Sequence, residues 1–533
     1  MISKNPREKL TEKHIIHVVG AGLAGSECAL QLALLGYDVV LIEMRGEVMT
    51  PAHRTANNAE LVCSNSFGSV ADTSAPGLLK WEAEQLGSRI LEAALANRVP
   101  AGQALSMDRE RFAEMVTAMV SAEPRIRRET RVVKSLDEIP RPAVIATGPL
   151  THESLAHSML EHFGDEFLYF FDAIAPIVAT ESINMEIAWR ADRWDKGTKD
   201  YINCPLSKRE YFFFTEEMKA ARKTEPKDFE KNTPYFEGCM PIEAMLERGD
   251  LTPRFGPMSA KGLRDPRTGN MPFAVVQLRQ DNREGTAYNI VGFQTKMTYP
   301  EQKRIFRLIP GLEDAEFLKL GSIHRNLYIN SPKRLNRDLS SKRDPWLFFT
   351  GQITGVEGYF ESTCMGLMIA RFIDQKLRGV LHEDASNIGE LLPPRATALG
   401  SLLNAITDET RADHFQPTNI NFGHLPAIAD TVGDTGGDRR RRLDKHDKRL
   451  LQIAAAREAF AQWFRQQGRS VKTNSAMDRM AQELKAATEA ATQAATKSAT
   501  PSATQTATPS ATPSAMQADT HPAANETAET TDV

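Results

Sequence analysis

Short continuous apolar runs alternate along this chain with stretches of helix-spaced apolar residues. Residues 14–19 form a β-rich apolar run, 26–35 are helix formers that stop at Gly36, and 38–42 are a second apolar run ending at Glu43. Strand, turn, helix and strand in so short a span predict a βαβ unit. Residues 143–146 are another strand, leading into Thr147-Gly148. Residues 346–350 are a third, followed by a glycine-rich turn over 351–358 and a buried helix over 365–377. Strands with glycine-rich exits thus occur early, midway and late. They predict an α/β fold in which one doubly wound, Rossmann-like domain is assembled from both ends of the chain around an inserted α+β domain.

The expected boundaries are 1–170 for the first part of the nucleotide domain, 171–335 for the insertion, and 336–470 for the second part with C-terminal helices, one of them over 443–464. A disordered tail is expected over 471–533. After Phe464 no aromatic residue occurs, and beyond about residue 486 the chain becomes Ala/Thr/Ser/Pro repeats. Such a segment buries too little apolar area to offset its ordering entropy.

Composition narrows the class. The 533 residues are 41% hydrophobic and 25% charged, which excludes a wholly disordered, collagen-like or coiled-coil chain. No run of about 18 apolar residues predicts a membrane helix, and residues 1–14 lack the apolar core of a signal peptide, so a cytoplasmic protein is expected. A net charge of −4 confines any nucleic-acid contact to local patches. The five cysteines, Cys28, Cys63, Cys204, Cys239 and Cys364, are widely spaced without a C-x-x-C pair. Neither a disulfide framework nor a metal site is expected from them.

Gly20-Ala21-Gly22-Leu23-Ala24-Gly25 fits G-x-G-x-x-G between the first strand and helix. Gly20 permits the tight turn, Gly22 admits a pyrophosphate close to the backbone, and Gly25 lets helix and strand approach. The helix N-terminus offers N–H groups to the phosphates. Glu43, at the end of the second strand, is the expected acceptor for a ribose hydroxyl. The motif alone does not separate FAD from NAD. The late segment with Gly351, Gln352, Gly355, Gly358 and Tyr359 favours FAD, because a flavin extends past its pyrophosphate and needs a second backbone-lined wall.

Cys28 and Cys364 sit among apolar helix positions and are expected in the core. Cys204 precedes a proline and suggests no chemistry. Cys63 lies among small polar residues, and Cys239 stands at a turn entering a helix, where a thiol pKa is depressed. Chemistry alone leaves each of these two open between a reactive thiol and an inert loop cysteine.

The segments HVVGAGLAGSECALQLALLGYDVVLIEMR, PAHRTANNAELVCSNSF, FEGCMPIE and GQITGVEGYFES together resemble the folate- and FAD-dependent tRNA (uracil-5-)-methyltransferase family, from about residue 14 to residue 425. The resemblance implies a glutathione-reductase-type FAD domain. It also implies methylenetetrahydrofolate as carbon donor, NADPH or NADH as electron source, and 5-methyluridine at tRNA position 54 in the T-loop as product. Cys239 then matches the nucleophile that adds to uracil C6, and Cys63 a second essential thiol acting as base near the flavin. Tyr359 either stacks a folate pterin against the flavin or simply packs. An arginine expected after the CSNS segment is replaced by Phe67-Gly68. Competing readings are a related enzyme that builds carboxymethylaminomethyl groups on wobble uridine, and a non-catalytic RNA-binding flavoprotein.

A tRNA partner requires phosphate-neutralising side chains. Residues 319–343 hold Lys319, Arg325, Lys333, Arg334, Arg337, Lys342 and Arg343 against one acid, Asp338, with His324 and Tyr328 interleaved. This run is the expected RNA contact. A second, from Arg439 to Arg442, is offset by neighbouring aspartates and stays undecided.

Overall fold

A five-stranded parallel sheet organises the first part of the molecule, with Leu347–Phe349 and Ala143–Ile145 on one side of Ile15–Val19, and Asp38–Glu43 and Ile126–Thr130 on the other. The computed structural model describes residues 14–164, 168–195, 198–224, 240–429, 431–434 and 437–498. Residues 1–491 form one compact unit and 492–533 a second; of the latter only the end of one helix falls among the described residues. Strands from both ends of the chain thus share one sheet, as a doubly wound fold built around an insertion requires.

Two helices close this sheet over the glycine turn. The first spans Leu23–Leu34 and begins three residues before its expected start, because Gly22 serves as its N-cap. The second spans Tyr359–Leu377, with Gly358 as N-cap, and so starts ahead of the expected helix. They cross at glycine: a Cβ on Gly366 would lie 2.2 Å from the Ala24 carbonyl oxygen. That approach lets the late half of the chain seat directly on the early half. Ile16, Val18, Leu30, Leu32, Phe348, Phe349, Leu367 and Ile369 are buried in the shared core.

Between the two halves lies a six-stranded antiparallel sheet in the order Trp189–Arg190, Ile202–Leu206, Ala274–Gln280, Ala287–Ile290, Ile177–Ala179, Phe317–Lys319. It has its own core around Phe214, Tyr288, Phe293 and Phe306. The chain enters and leaves this region through an antiparallel ribbon of Leu168–Ala173 and Ile323–Tyr328.

The helix expected over 443–464 is Lys445–Gln466, capped by Asp444. The expected tail boundary at 471 needs correction. A helix, Ala476–Ser498, follows, and Met477 and Met480 are buried with Leu484 packed beside them. Their spacing makes an apolar stripe, and Glu84 accepts hydrogen bonds from the backbone N–H groups of Ala476 (2.6 Å) and Met477 (3.0 Å) at the helix start. The repeats beyond 498 lie outside the described residues. Among the described residues no helix is long and apolar enough to cross a membrane.

Candidate active site

The glycine motif, the end of the second strand and the late glycine turn converge on one cavity. Its empty volume is about 1050 Å³, part of it open to solvent, and Gly20, Gly22, Leu23, Ala24, Glu43, Gly351, Gln352 and Tyr359 contribute to its wall. Each glycine of the motif has a distinct reason. Gly20 has φ +100° and would place a Cβ 2.5 Å from the Ala146 carbonyl oxygen; Gly25 would place one 1.8 Å from the Gly20 carbonyl oxygen. Gly22 is different, since a Cβ there meets no protein atom within 4 Å. Nothing in the protein forces glycine at that position, whereas a ligand lying against the helix start would.

Glu43 reaches this cavity but is already engaged. Its Oε2 accepts from the Ala21 N–H at 2.8 Å and from Arg45 Nη2 at 3.0 Å, and its Oε1 accepts from the Arg45 N–H at 3.0 Å. Burial raises its pKa, but the hydrogen bonds and charge of Arg45, with the Ala21 N–H, outweigh that and hold it below the usual carboxylate range. In the structure Glu43 therefore braces the glycine turn. Arg45, which sequence reasoning missed, is almost fully buried at the cavity wall. Its Nη1 has no hydrogen-bond partner and lies 3.7 Å from Glu60. A buried guanidinium on a cavity wall, with one nitrogen lacking a hydrogen-bond acceptor, suits an anionic or hydroxyl-rich ligand. His53 joins the same wall, its Nδ1 2.6 Å from the Thr50 hydroxyl. Burial, then the Arg45 charge, lowers its pKa to about 4, so the ring is neutral near pH 7.

In the late segment, Gly351 (φ +80°) and Gln352 line the cavity, and Gln352 donates to Glu357 at 2.8 Å. Gly355 does not line it. A Cβ there would meet the Phe415 ring at 2.5 Å, so its role is packing behind the turn.

Cys28, Cys204 and Cys364 are buried, and burial pushes all three thiols up, as core cysteines should be. Cys239 lies outside the described residues. Cys63 is half-buried, with its backbone held on both sides. Its N–H donates to the Tyr359 hydroxyl at 2.7 Å, and its carbonyl accepts from Arg109 Nη2 at 3.1 Å. Next to it, the Val62 carbonyl accepts from Lys319 Nζ at 2.9 Å. Val62 and Tyr359 both line the cavity, so Cys63 sits one residue behind its wall. Arg109, Arg279 and Lys319 all lie within electrostatic reach of the thiol. The structure explains Phe67 too: it is buried, edge-on to Phe112 and Tyr359 with ring centroids 5.7 and 6.5 Å away.

The basic run of 319–343 does not stay together. Lys319 leaves it for the Cys63 segment. Tyr328 is buried against Phe415 and offers no face to a base. Asp338, the one acid, is buried and paired with Lys376. Lys333, Arg337, Lys342 and Arg343 are exposed, Lys342 beside Glu409 and Arg343 donating to the His162 carbonyl. The second run lies on the strand Gly437–Arg442, antiparallel to Thr431–Asp434.

Residues 15–380 match the family model described as glucose inhibited division protein A. The chain is 65% identical over 454 residues to methylenetetrahydrofolate–tRNA-(uracil-5-)-methyltransferase TrmFO of Bdellovibrio bacteriovorus, which covers 85% of this chain and 99% of the relative. It is 52% identical over 453 residues to the protein of the same name in Rhizorhabdus wittichii, over 84% of this chain and 98% of that one. Among solved structures, GidA of Aquifex aeolicus shares the fold with a TM-score of 0.56 at 13% identity, over 85% of this chain and 74% of that one.

Proposed function

The chain belongs to the TrmFO family of methylenetetrahydrofolate–tRNA-(uracil-5-)-methyltransferases, and from that premise we propose that it methylates uracil C5 at position 54 in the T-loop of tRNA. The carbon donor is methylenetetrahydrofolate and the cavity holds FAD. The open space at Gly22 receives the pyrophosphate, and Arg45, with Glu43 behind it, meets the ribose end. Gly351, Gln352 and Tyr359 form the wall toward the flavin. A methylene carbon needs two further electrons to become a methyl group; NADPH or NADH supplies them, and FAD, when bound, carries them. A cytoplasmic location follows from the tRNA substrate.

Uracil C5 is a poor nucleophile until a group adds at C6. The Cys239 thiolate serves that step: a C6–S bond forms, and the electron pair moves to C5 and the C4 carbonyl as an enolate. Once C5 has gained its new carbon, its proton must leave to a base, and Cys63 takes it; the electron pair breaks the bond between the new carbon and its carrier and leaves an exocyclic methylene. A hydride, the two electrons above with one proton, converts that methylene to a methyl group, and expulsion of the Cys239 sulfur restores the 5,6 double bond. The single observation that supports this reading most strongly is the bond from the Cys63 N–H to Tyr359, which ties a half-buried cysteine to the wall of the cavity that the glycine motif lines.

The test is carbon transfer into unmodified tRNA from labelled methylenetetrahydrofolate with NADPH or NADH, beside a parallel reaction with S-adenosylmethionine. The expected product is 5-methyluridine at position 54 from the folate donor alone. Transfer from S-adenosylmethionine, or methylation elsewhere in the tRNA, would overturn the proposal. Cys63→Ala and Cys239→Ala should each abolish turnover while the protein stays yellow.

A further inference from the structure

Arg109 occupies an unusual position. It is the first residue of the helix Arg109–Ala122 in the nucleotide domain, yet its guanidinium bonds to both parts of the molecule. Nε donates to Asp281 Oδ1 (3.0 Å) and Oδ2 (2.9 Å), and Nη2 donates to Oδ1 at 2.8 Å. The same group donates through Nη1 to the Leu61 carbonyl at 2.8 Å and through Nη2 to the Cys63 carbonyl at 3.1 Å. The pair is 13% and 9% exposed. Asp281 directly follows the strand Ala274–Gln280 of the second sheet. Neighbouring bonds cross the same seam: Asp108 accepts from the Arg283 N–H at 2.9 Å, and Asn65 donates to the carbonyls of both Met107 and Gln280.

A planar fork with this many simultaneous acceptors has one orientation available, and lysine cannot reproduce it. The carboxylate fixes the plane of the guanidinium, and the guanidinium fixes two carbonyls that flank Val62. Tyr359 holds the Cys63 N–H from the opposite side. The placement of Cys63 beside the cavity therefore depends on how the second sheet docks.

We propose that Arg109, oriented by Asp281, is a positioning residue for the methylation: it fixes the Cys63 main chain against the cavity and makes that placement conditional on the docked second sheet. This rests on the role given to Cys63 above. A thiol misplaced by about 1 Å costs on the order of 10²-fold in rate, without loss of substrate binding.

The test uses full-length, FAD-loaded protein and three variants. Arg109→Lys keeps a cation but loses the fork, and Asp281→Asn loses the carboxylate that orients it. Each is expected to lower kcat on the order of 10²-fold, with KM for tRNA unchanged and FAD retained. Arg109→Gln, which loses the fork and the charge together, should fall at least as far. Wild-type kcat in Arg109→Lys overturns the proposal. So does a loss of kcat that only parallels loss of FAD or of Tm across the variants, since that is a structural effect. If Arg109→Gln does not fold, Arg109→Lys and Asp281→Asn decide. Full activity in Cys63→Ala would instead remove the proposed chemistry itself, so the two failures are distinguishable.

Discussion

The hydroxyl oxygen of Tyr359 accepts a 2.7 Å hydrogen bond from the backbone N–H of Cys63, 296 positions away in the chain. The bond joins the start of the long late helix to the loop that carries the half-buried thiol. Tyr359→Phe keeps the ring and its packing but removes the acceptor. Leaving that donor unmatched should cost about 1 kcal/mol of stability by denaturant titration, and methyl transfer should fall while FAD content holds. A Phe variant with wild-type turnover would show that the ring, not the hydroxyl, is what matters.

Two glycines of the same motif should respond in opposite ways to alanine. A Cβ on Gly25 would collide with the Gly20 carbonyl oxygen at 1.8 Å. Gly25→Ala is therefore expected to lose stability by several kcal/mol, comparable to other severe core overpacking. At Gly22 the backbone (φ −72°, ψ −166°) already suits any residue, and the added methyl meets no protein atom within 4 Å. Gly22→Ala should fold with near wild-type Tm measured without cofactor, yet bind FAD weakly. Equal loss of folding in both variants would contradict a ligand role for the space at Gly22.

The close approaches at Gly20 and Gly25 are legible in the sequence because their constraints are local: a turn, a strand and a helix fix them within a single βαβ unit. The position of Glu43 at the end of its strand is legible for the same reason, but its bonds to Ala21 and Arg45 are not. Arg45 and His53 are not, since their significance comes from burial beside Glu43 and Glu60, which no local pattern records. Gly355, expected at the cofactor, stands off the cavity wall against Phe415 for the complementary reason. Glycine signals close approach, but whether to a ligand or to Phe415 depends on a residue far along the chain. Lys319 illustrates the same limit among charges. It reads as part of a basic surface run, yet burial and the charges of Arg109 and Arg54 push its pKa down to about 8, beside the Cys63 segment. The helix from Ala476 escapes sequence reading because Met477, Met480 and Leu484 are a sparse stripe in an alanine-rich background.

His53 should leave a signature in acid. Its folded-state pKa of about 4 lies below its unfolded value near 6.5. Between these pH values the unfolded chain binds more protons, so the His53 contribution to stability is present above 6.5 and is lost as pH falls toward 4. The effect is at most a few kcal/mol, since a tenfold change in proton affinity corresponds to about 1.4 kcal/mol. His53→Asn should flatten the difference in unfolding free energy across that window and leave it unchanged above pH 7. An identical pH dependence in both proteins would mean that the ring takes up its proton in the folded state as readily as in the unfolded chain.

The basic residues of 319–343 should divide by burial. Lys333 and Arg337 are exposed. Either one changed to alanine should weaken tRNA binding for all sequences alike and reduce the salt slope by about one for each phosphate left without its cation. Asp338 and Lys376 are both fully buried, as an ion pair. Lys376→Met leaves Asp338 as an uncompensated buried charge, and breaking such a pair costs about 3–5 kcal/mol. The folded fraction of that variant should still bind tRNA with the wild-type salt slope. The measurement is therefore a pair of titrations, affinity against log salt and unfolding against denaturant. A salt slope that moves with Lys376→Met, or stays fixed with Arg337→Ala, would place the RNA contact somewhere other than this surface.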